Sequence, residues 1–402
     1  MAPPRIALIA DTRGSYVRGL IEGITAYGRD FGPWSYSLHA EPLDTEIPRR
    51  LRAEGVDGVL ARVHSPRVGR ALAGLRVPVV DMLEEVPIRG VPQIVVDDRE
   101  VVRLALDHLL ERGLRAVAFL GLRSVRYSDV RRRHLVEQCR ARARDLEAAA
   151  TGGRACPLTL LIDERAATQP HETAIGAWIE TLPRPIGLVC CNDVWAGKAV
   201  AACRDRGIDV PDQVALVGVD DDPLVCQVSA TPLTSVDPNT FQIGYQAARL
   251  LHGMLTGGPA PPPLTYVAPA GVVTRRSTDV LAFPDREVAR LVRHVRDNAC
   301  AGLTVGRMVR SLGVSRRTLE RLFARHVGHS PSDEIRHVRL MRVRQLLGDT
   351  DAGLDTISRV AGFAYAESMR RAFKAEFGMS PKAYRLRQRR PRPGGSPRRS
   401  AR

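Results

Sequence analysis

Lysine is nearly missing from this chain. It occurs only at Lys198, Lys374 and Lys382, so almost all of the 60 basic residues are arginine. Long apolar runs are also absent: no stretch approaches the roughly 20 residues that span a bilayer, and Met1-Ala-Pro-Pro-Arg5 lacks the charged-then-apolar layout of a secretory signal. The expectation is a cytoplasmic protein with no membrane partner. The seven cysteines are odd in number and never spaced as CxxC, which argues for reduced core residues over a disulfide framework or a zinc site. No metal and no cofactor are expected. G-x-x-x-x-G-K-[ST], G-x-S-x-G and H-E-x-x-H are missing as well, so the common phosphate-cradling, serine-nucleophile and zinc-protease layouts are excluded and an enzyme is not expected.

What is present is a charge imbalance with an address. The net charge is +16, and residues 285–402 hold 27 Lys and Arg against 11 Asp and Glu, which leaves 33 of each for residues 1–284. A genome-wide bias accounts for arginine over lysine but not for this segregation. A neutral part joined to a strongly basic part is what attraction to a phosphate backbone requires. The length of 402 residues allows two or three domains, each with its own core.

The basic part repeats itself. Gly313-Val314-Ser315, an Arg-rich helix, Phe323 and Gly328-x-Ser330-Pro331 return as Gly362-Phe363-Ala364, Phe373 and Gly378-x-Ser380-Pro381, a period of about 50 residues. Each copy reads as helix, tight turn, helix, the layout in which the second helix enters a major groove. In the first copy Leu319, Leu322 and Phe323 fall on one helix face, which leaves Arg316, Arg317 and Arg321 outward, with Ser315 as cap and Thr318 in the first turn. In the second, Met369, Ala372 and Phe373 form the stripe; Glu367, Ser368, Arg370 and Arg371 lie at the exposed start. Arginine there can fork onto guanine O6 and N7 or clamp phosphates. Residues 332–347 read as one rigid spacer helix, on which Arg339, Arg342 and Arg344 are expected to be solvated or to face phosphate.

The neutral part alternates short apolar runs with helical patterns, from Arg5–Ala10 through Gly58–Arg62, Val77–Val80, Ala116–Leu120, Leu158–Ile162 and Ile186–Cys190 to Val214–Val219. This alternation predicts an α/β fold with parallel sheets, whose ligands bind beyond the carboxyl ends of the strands. The polar residues that follow those ends include Asp11, Tyr16, Tyr127, Arg131, Asn192 and Asp220. Carboxylates, an amide and a guanidinium converging on one cleft can make paired hydrogen bonds to neighbouring hydroxyls, which is sugar chemistry. Asp193 and Asp222, each directly before a helical pattern, are expected to be helix caps.

Ile186-Gly-Leu-Val-Cys-Cys-Asn192-Asp193, Val214-Ala-Leu-Val-Gly-Val-Asp220-Asp221 and Pro232-Leu-Thr-Ser-Val-Asp237 resemble the effector domain of LacI/GalR-type repressors over residues 5–276. The resemblance implies a periplasmic-binding-protein-like sensor of two subdomains, with Asn192 and Asp220 on one cleft wall and Arg131 reaching a hydroxyl. The run Arg132-Arg133-His134-Leu135 departs from it, since a small residue and an aromatic are usual there. Arg339-Leu340-x-x-Val343, Ile357-x-x-x-x-Gly362-Phe363, Phe373-Lys374 and Gly378-x-Ser380-Pro381-x-x-Tyr384-Arg385 resemble the double helix-turn-helix domain of AraC/XylS-type regulators over residues 286–388, with Val309 and Ser358 where alanine is usual. The fusion is similar to XylR-type transcriptional regulators. It implies an all-α reader behind the sensor, a linker at 277–285 and a basic disordered tail at 389–402. The partners so implied are a double-stranded DNA operator, a sugar effector such as xylose, a second copy in a homodimer, and RNA polymerase at an activated operon. Two alternatives stay open on the residues alone: an effector-independent DNA binder, and a sugar-processing α/β enzyme with a basic tail.

Overall fold

The computed structural model describes residues 3–12, 14–40, 46–83, 85–142, 157–163, 170–280, 286–350 and 352–388. The chain divides into two compact units, Met1–Val280 and Leu281–Arg402. The tail at 389–402 and residues 281–285 lie outside the described residues.

The first unit is built on two six-stranded sheets. In one, the strand order is Leu264–Val267, Gln93–Val96, Val79–Asp81, Gly58–Ala61, Arg5–Ile9, Ser35–His39, with parallel pairing throughout. In the other it is Gly271–Val273, Thr234–Asp237, Val214–Val219, Ile186–Cys190, Val117–Leu122, Leu158–Ile162, parallel except for the antiparallel pairing of the first two. The central strands are buried along their length, which is why they read as unbroken apolar runs rather than alternating ones.

The chain passes between the two sheets three times, near Asp97, Asp237–Asn239 and Val267–Gly271. Hydrogen bonds tie these passages together: the Asp97 N–H donates to the Val267 carbonyl at 2.9 Å, the Ala270 N–H to that of Asp237 at 2.9 Å, and the Asn239 amide to that of Ala268 at 3.2 Å. A small set of such passages is where a two-lobed domain bends.

The residues expected to begin a linker at 277 are instead part of the second lobe. Ser277 and Thr278 are fully buried; the Ser277 hydroxyl donates to the Leu216 carbonyl at 2.7 Å, and Thr278 Oγ1 meets both His108 Nε2 and Thr234 Oγ1 at 2.8 Å. Arg275 is ion-paired with Asp221 at 2.8 Å. Polar side chains that read as loop composition satisfy one another inside the lobe, so the lobe extends beyond 276.

The second unit is helical. Val288, Leu291, Val292 and Val295 form the buried stripe of the helix Arg286–Asn298 and pack with Met308, Leu319 and Phe323 into one core. A second core gathers Leu340, Val343, Leu347, Ile357, Met369, Phe373 and Tyr384. The helix Pro331–Asp349 gives Ile335 to the first core and Leu340, Val343 and Leu347 to the second. Its start follows the Ser-Pro rule: Ser330 accepts from the Asp333 N–H at 3.2 Å, and Pro331 occupies the first turn.

In the first unit the helices Ser15–Phe31 and Thr240–Leu255 press directly against each other. A Cβ on Gly244 would stand 2.0 Å from the Leu20 carbonyl oxygen, and one on Gly23 2.0 Å from that of Phe241. Backbone cannot give way as a side chain can. Gly244→Ala is therefore expected to destabilise the protein by about 1–3 kcal/mol, more than the roughly 1 kcal/mol of helix propensity that alanine contributes. Urea denaturation checks this, and an unchanged or raised midpoint would show that the helices separate without cost.

Candidate effector cavity and DNA-reading helices

A cavity of about 290 Å³ opens between the two sheets at the carboxyl ends of their strands. It lies at the small end of ligand-site volumes, which run from about 300 to 1,000 Å³. All six residues expected at the cleft line it: Asp11 and Tyr16 beyond Arg5–Ile9, Tyr127 and Arg131 on the helix after Val117–Leu122, Asn192 beyond Ile186–Cys190, and Asp220 beyond Val214–Val219. Arg62, His64, Asp98 and Arg126 line it too and were not anticipated. Arg62 and Asp98 follow carboxyl ends of strands in the first sheet, the rule that found the others. A larger cavity of about 570 Å³, lined by Leu51, Arg52, Val56, Leu75, Arg76 and Val77, lies instead at the amino ends of two strands and holds no carboxylate.

Arg131 organises the far wall. It is 4% exposed, donates through Nε to Asp98 at 2.7 Å and through Nη1 to the Cys191 carbonyl, and lies 5.1 Å from the centre of the Tyr127 ring. Burial opposes its charge, but Asp98 and Asp220 outweigh that and hold the guanidinium firmly protonated. Asn192 donates to the Tyr127 hydroxyl at 3.2 Å and accepts from the Trp195 N–H at 3.1 Å, so it also caps the helix Asp193–Asp205. Arg62 lies 5.2 Å from the centre of the Tyr16 ring. Burial pushes the Tyr16 pKa up to about 12, which keeps its hydroxyl a neutral donor.

Asp220 sits on strained backbone, with φ of +114°, a region that costs a non-glycine residue about 1–3 kcal/mol. Its N–H donates to Val236 at 3.1 Å, and that of Asp221 to Ser235 Oγ at 3.0 Å; these bonds hold the turn in place. Burial raises the Asp220 carboxyl to about 6 despite the opposing charges of Arg131 and Arg62.

The two neighbouring carboxylates have different duties. Asp222 caps its helix as expected, accepting from the Leu224 and Val225 N–H groups at 2.9 and 3.3 Å, and it also accepts from Ser15 on the opposite wall. Asp193 is not a cap. It is 1% exposed and accepts from the Ser235 hydroxyl at 2.6 Å, the Asp222 N–H at 2.8 Å and the Cys226 thiol at 3.4 Å. The cap position belongs to Asn192, one residue earlier, which leaves Asp193 as a strut beneath the Asp220 turn. Among the described residues, no group of three or more His, Cys, Asp or Glu is placed to hold a metal, and no helix is long and apolar enough to cross a membrane.

In the second unit the helix Val305–Leu312 ends at Gly313 and is followed by Arg316–His326; Leu354–Val360 ends at the Gly362 turn and is followed by Ala366–Phe377. Ser315 accepts from the Thr318 N–H at 3.1 Å, and its hydroxyl meets that of Thr318 at 2.9 Å. Leu319, Phe323, Met369 and Phe373 are fully buried, while Arg316, Arg317, Arg321, Glu367, Arg370 and Arg371 are exposed and Ser368 is half-buried. Arg316 pairs with Glu320 at 2.9 Å, and Arg370 with Glu367 at 3.5 Å. Gly362 has φ of +80°, and a Cβ there would meet the Cys300 carbonyl at 2.7 Å, so both conformation and space require glycine. Ser358 is buried, and its hydroxyl has no partner among the described residues. Tyr365, 73% exposed at the start of the second reading helix, was not singled out in the sequence.

Arg339 departs from its expected role. Its Nε donates to the Ala299 carbonyl at 2.9 Å and its Nη2 to that of Leu303 at 2.7 Å, so it ties the spacer helix to the first core rather than facing solvent or phosphate. Arg344 lies over the Phe377 ring at 5.8 Å, and Arg342 is half-buried.

Known proteins match both units. Residues 106–278 match a periplasmic binding protein-like domain and residues 308–387 a helix-turn-helix domain. The chain is 28% identical over 390 residues to the xylose operon regulatory protein of Escherichia coli K12, covering 95% of this chain and 96% of that one. It is 27% identical over 391 residues to the protein of the same name in Haemophilus influenzae, covering 95% and 98%. The solved structure of a xylose-binding transcription activator, xylR, matches with a TM-score of 0.60 at 26% identity, over 96% of this chain and 98% of that one. A LacI-type regulator from Alkaliphilus metalliredigens complexed with D-xylulofuranose shares the sensor fold, with a TM-score of 0.54 at 18% identity over 69% of this chain and 99% of that one.

The raised Asp220 carboxyl has a stability consequence. A group that titrates at 3.8 when free and near 6 when folded binds its proton more tightly in the folded state. Its contribution to stability is therefore present below about pH 4 and lost as pH rises through about 6. Asp220→Asn in the ligand-free protein is expected to be more stable than the natural chain at pH 8, on the order of 1–2 kcal/mol given the open mouth of the cavity. The gain should shrink as pH falls below 6, and denaturation at pH 8 and pH 4.5 measures it. Equal gains at both values would place the effect in the backbone turn and not in the charge.

Proposed function

We propose that the chain, a periplasmic-binding-protein-like sensor joined to an AraC-type helix-turn-helix reader as in transcription regulators of the XylR type, switches a sugar-catabolic operon in response to a sugar held in the cavity. The observation that carries this reading is the convergence of Asp11, Tyr16, Tyr127, Arg131, Asn192 and Asp220 from both sheets on one small polar cavity. Asp220 and Asp11 accept from hydroxyls, Tyr16 and Asn192 donate, and Arg131 spans two neighbouring oxygens. A ligand that touches both walls favours the closed arrangement over the open one and shifts the population toward it.

On the reader, Ser315, Arg316, Arg317, Thr318 and Arg321 on one helix and Glu367, Ser368, Arg370 and Arg371 on the other meet DNA, with Tyr365 beside the second set. The spacer of 19 residues is about 28 Å long at 1.5 Å per residue, against about 34 Å between successive turns of the major groove. The protein works in the cytoplasm as a homodimer on paired half-sites and activates by contact with RNA polymerase. Xylose is the first effector to test, because the relatives named above are xylose regulators. Footprinting the full chain on the DNA upstream of its own operon, with and without each of a panel of monosaccharides, tests the reading: protection should extend or strengthen with one sugar. Protection indifferent to every sugar would leave an effector-independent DNA binder.

Arg316→Ala and Arg317→Ala are expected to relax base preference in one half of the operator, at a cost of about 1–3 kcal/mol for each lost base contact. Arg370→Ala and Arg371→Ala should do so in the other half. Selection from a randomised operator library reads this directly. Variants that keep the natural base preferences while binding more weakly would reassign these arginines to phosphate.

A further inference from the structure

We infer that the effector is a sugar acid, with its carboxylate on Arg62 and its hydroxyls on Asp220, Asn192 and Arg131. The inference rests on reading the cavity as the effector site and adds the ligand's charge. Three guanidinium groups line a space of about 290 Å³, and they are not equivalent. Arg131 is already engaged by Asp98, the Cys191 carbonyl and the Tyr127 ring. Arg62 enters from the first sheet with the Tyr16 ring beside its guanidinium and Asp220 near enough to feel its charge, and its Nε is buried with no hydrogen-bond partner among the described residues.

A buried donor without a partner is costly. A hydroxyl would satisfy one N–H weakly, whereas a carboxylate matches the planar fork of arginine with two parallel charge-assisted bonds. Arg126 enters from the second lobe and adds positive charge to the same space. Burial and Arg62 lower the His64 pKa, so His64 lines the cavity as a neutral group. The carboxylates divide in a matching way: Asp98 is taken by Arg131, while Asp220 faces the ligand's hydroxyls. The Asp220 carboxylate in so small a space also disfavours the second negative charge of a phosphate ester, which selects a carboxylate over a sugar phosphate.

Calorimetric titration of the full chain at pH 7.5 with matched pairs tests this: D-xylose against D-xylonate, D-galactose against D-galacturonate, and D-glucose against D-glucuronate and glucose 6-phosphate. One acid should bind at least tenfold more tightly than its neutral partner, and Arg62→Gln should remove that margin. Arg62→Lys, which keeps the charge and loses the fork, should shrink it, and covers the case in which Arg62→Gln fails to fold. A neutral sugar that binds as tightly as its acid, a phosphate ester that binds tighter, or a margin that survives Arg62→Gln overturns the inference while leaving a sugar sensor. Binding of no compound in either class overturns the effector reading itself.

Discussion

The buried pair of Arg131 and Asp98 is the contact on which the cavity depends. Asp98 stands where the chain first passes from one sheet to the other, and Arg131 projects from the helix Arg126–Ala141 of the second lobe. Neither charge is tolerable alone in that position, and removing one partner of such a pair costs about 3–5 kcal/mol because the other is left uncompensated. Once Arg131 is fixed, its second nitrogen fixes the Cys191 carbonyl and its face fixes Tyr127; Tyr127 accepts from Asn192, and Asn192 caps the next helix. A polar chain of this kind is rigid only when every member is satisfied. The same charge partly offsets the burial of Asp220, whose strained turn rests on Asp193 and Ser235.

The two units solve different electrostatic problems with the same residue. In the sensor cavity, Arg131 is buried and paired with Asp98 beside Asp220, and the net charge of residues 1–284 is zero. In the reader, arginine stands exposed along two helices whose opposite faces are anchored by Leu319 and Phe323, and by Met369 and Phe373. The spacer helix belongs to both reader cores, and Arg339 fastens it to the first through two backbone carbonyls. This gives the two reading helices a fixed separation, which a pair of grooves on one face of DNA requires.

The repeat around Gly313 and Gly362, the charge segregation and the parallel α/β pattern were legible because each is local: a turn needs glycine, a helix face needs a 3.6-residue period, and a buried strand needs an apolar run. The six cleft residues were legible through one topological rule, that ligands gather beyond the carboxyl ends of strands. What escaped depended on distant partners. The strands Ser35–His39 and Gly271–Val273 lie at sheet edges, and Gln93–Val96 is only four residues long, so none shows a decisive pattern alone. Asp193 looks like a cap until Ser235, Asp222 and Cys226 are seen to converge on it. Ser277 and Thr278 read as loop because their partners, Leu216, Thr234 and His108, are 44 to 170 residues away. Arg339 read as a surface charge because the carbonyls it serves lie 36 and 40 residues upstream.

The proposed function requires that occupancy of the cavity and reading of DNA be linked within one chain. Linkage is reciprocal: the factor by which a ligand tightens operator binding must equal the factor by which the operator tightens ligand binding. The most direct measurement is therefore the affinity of the full chain for its cavity ligand, taken with and without saturating operator DNA, alongside operator affinity with and without saturating ligand. Two equal factors are expected, each at least about fivefold, the lower end of ordinary allosteric coupling. Ligand affinity identical in the presence and absence of operator would contradict this linkage, and the sensor and reader would then be independent passengers on one chain.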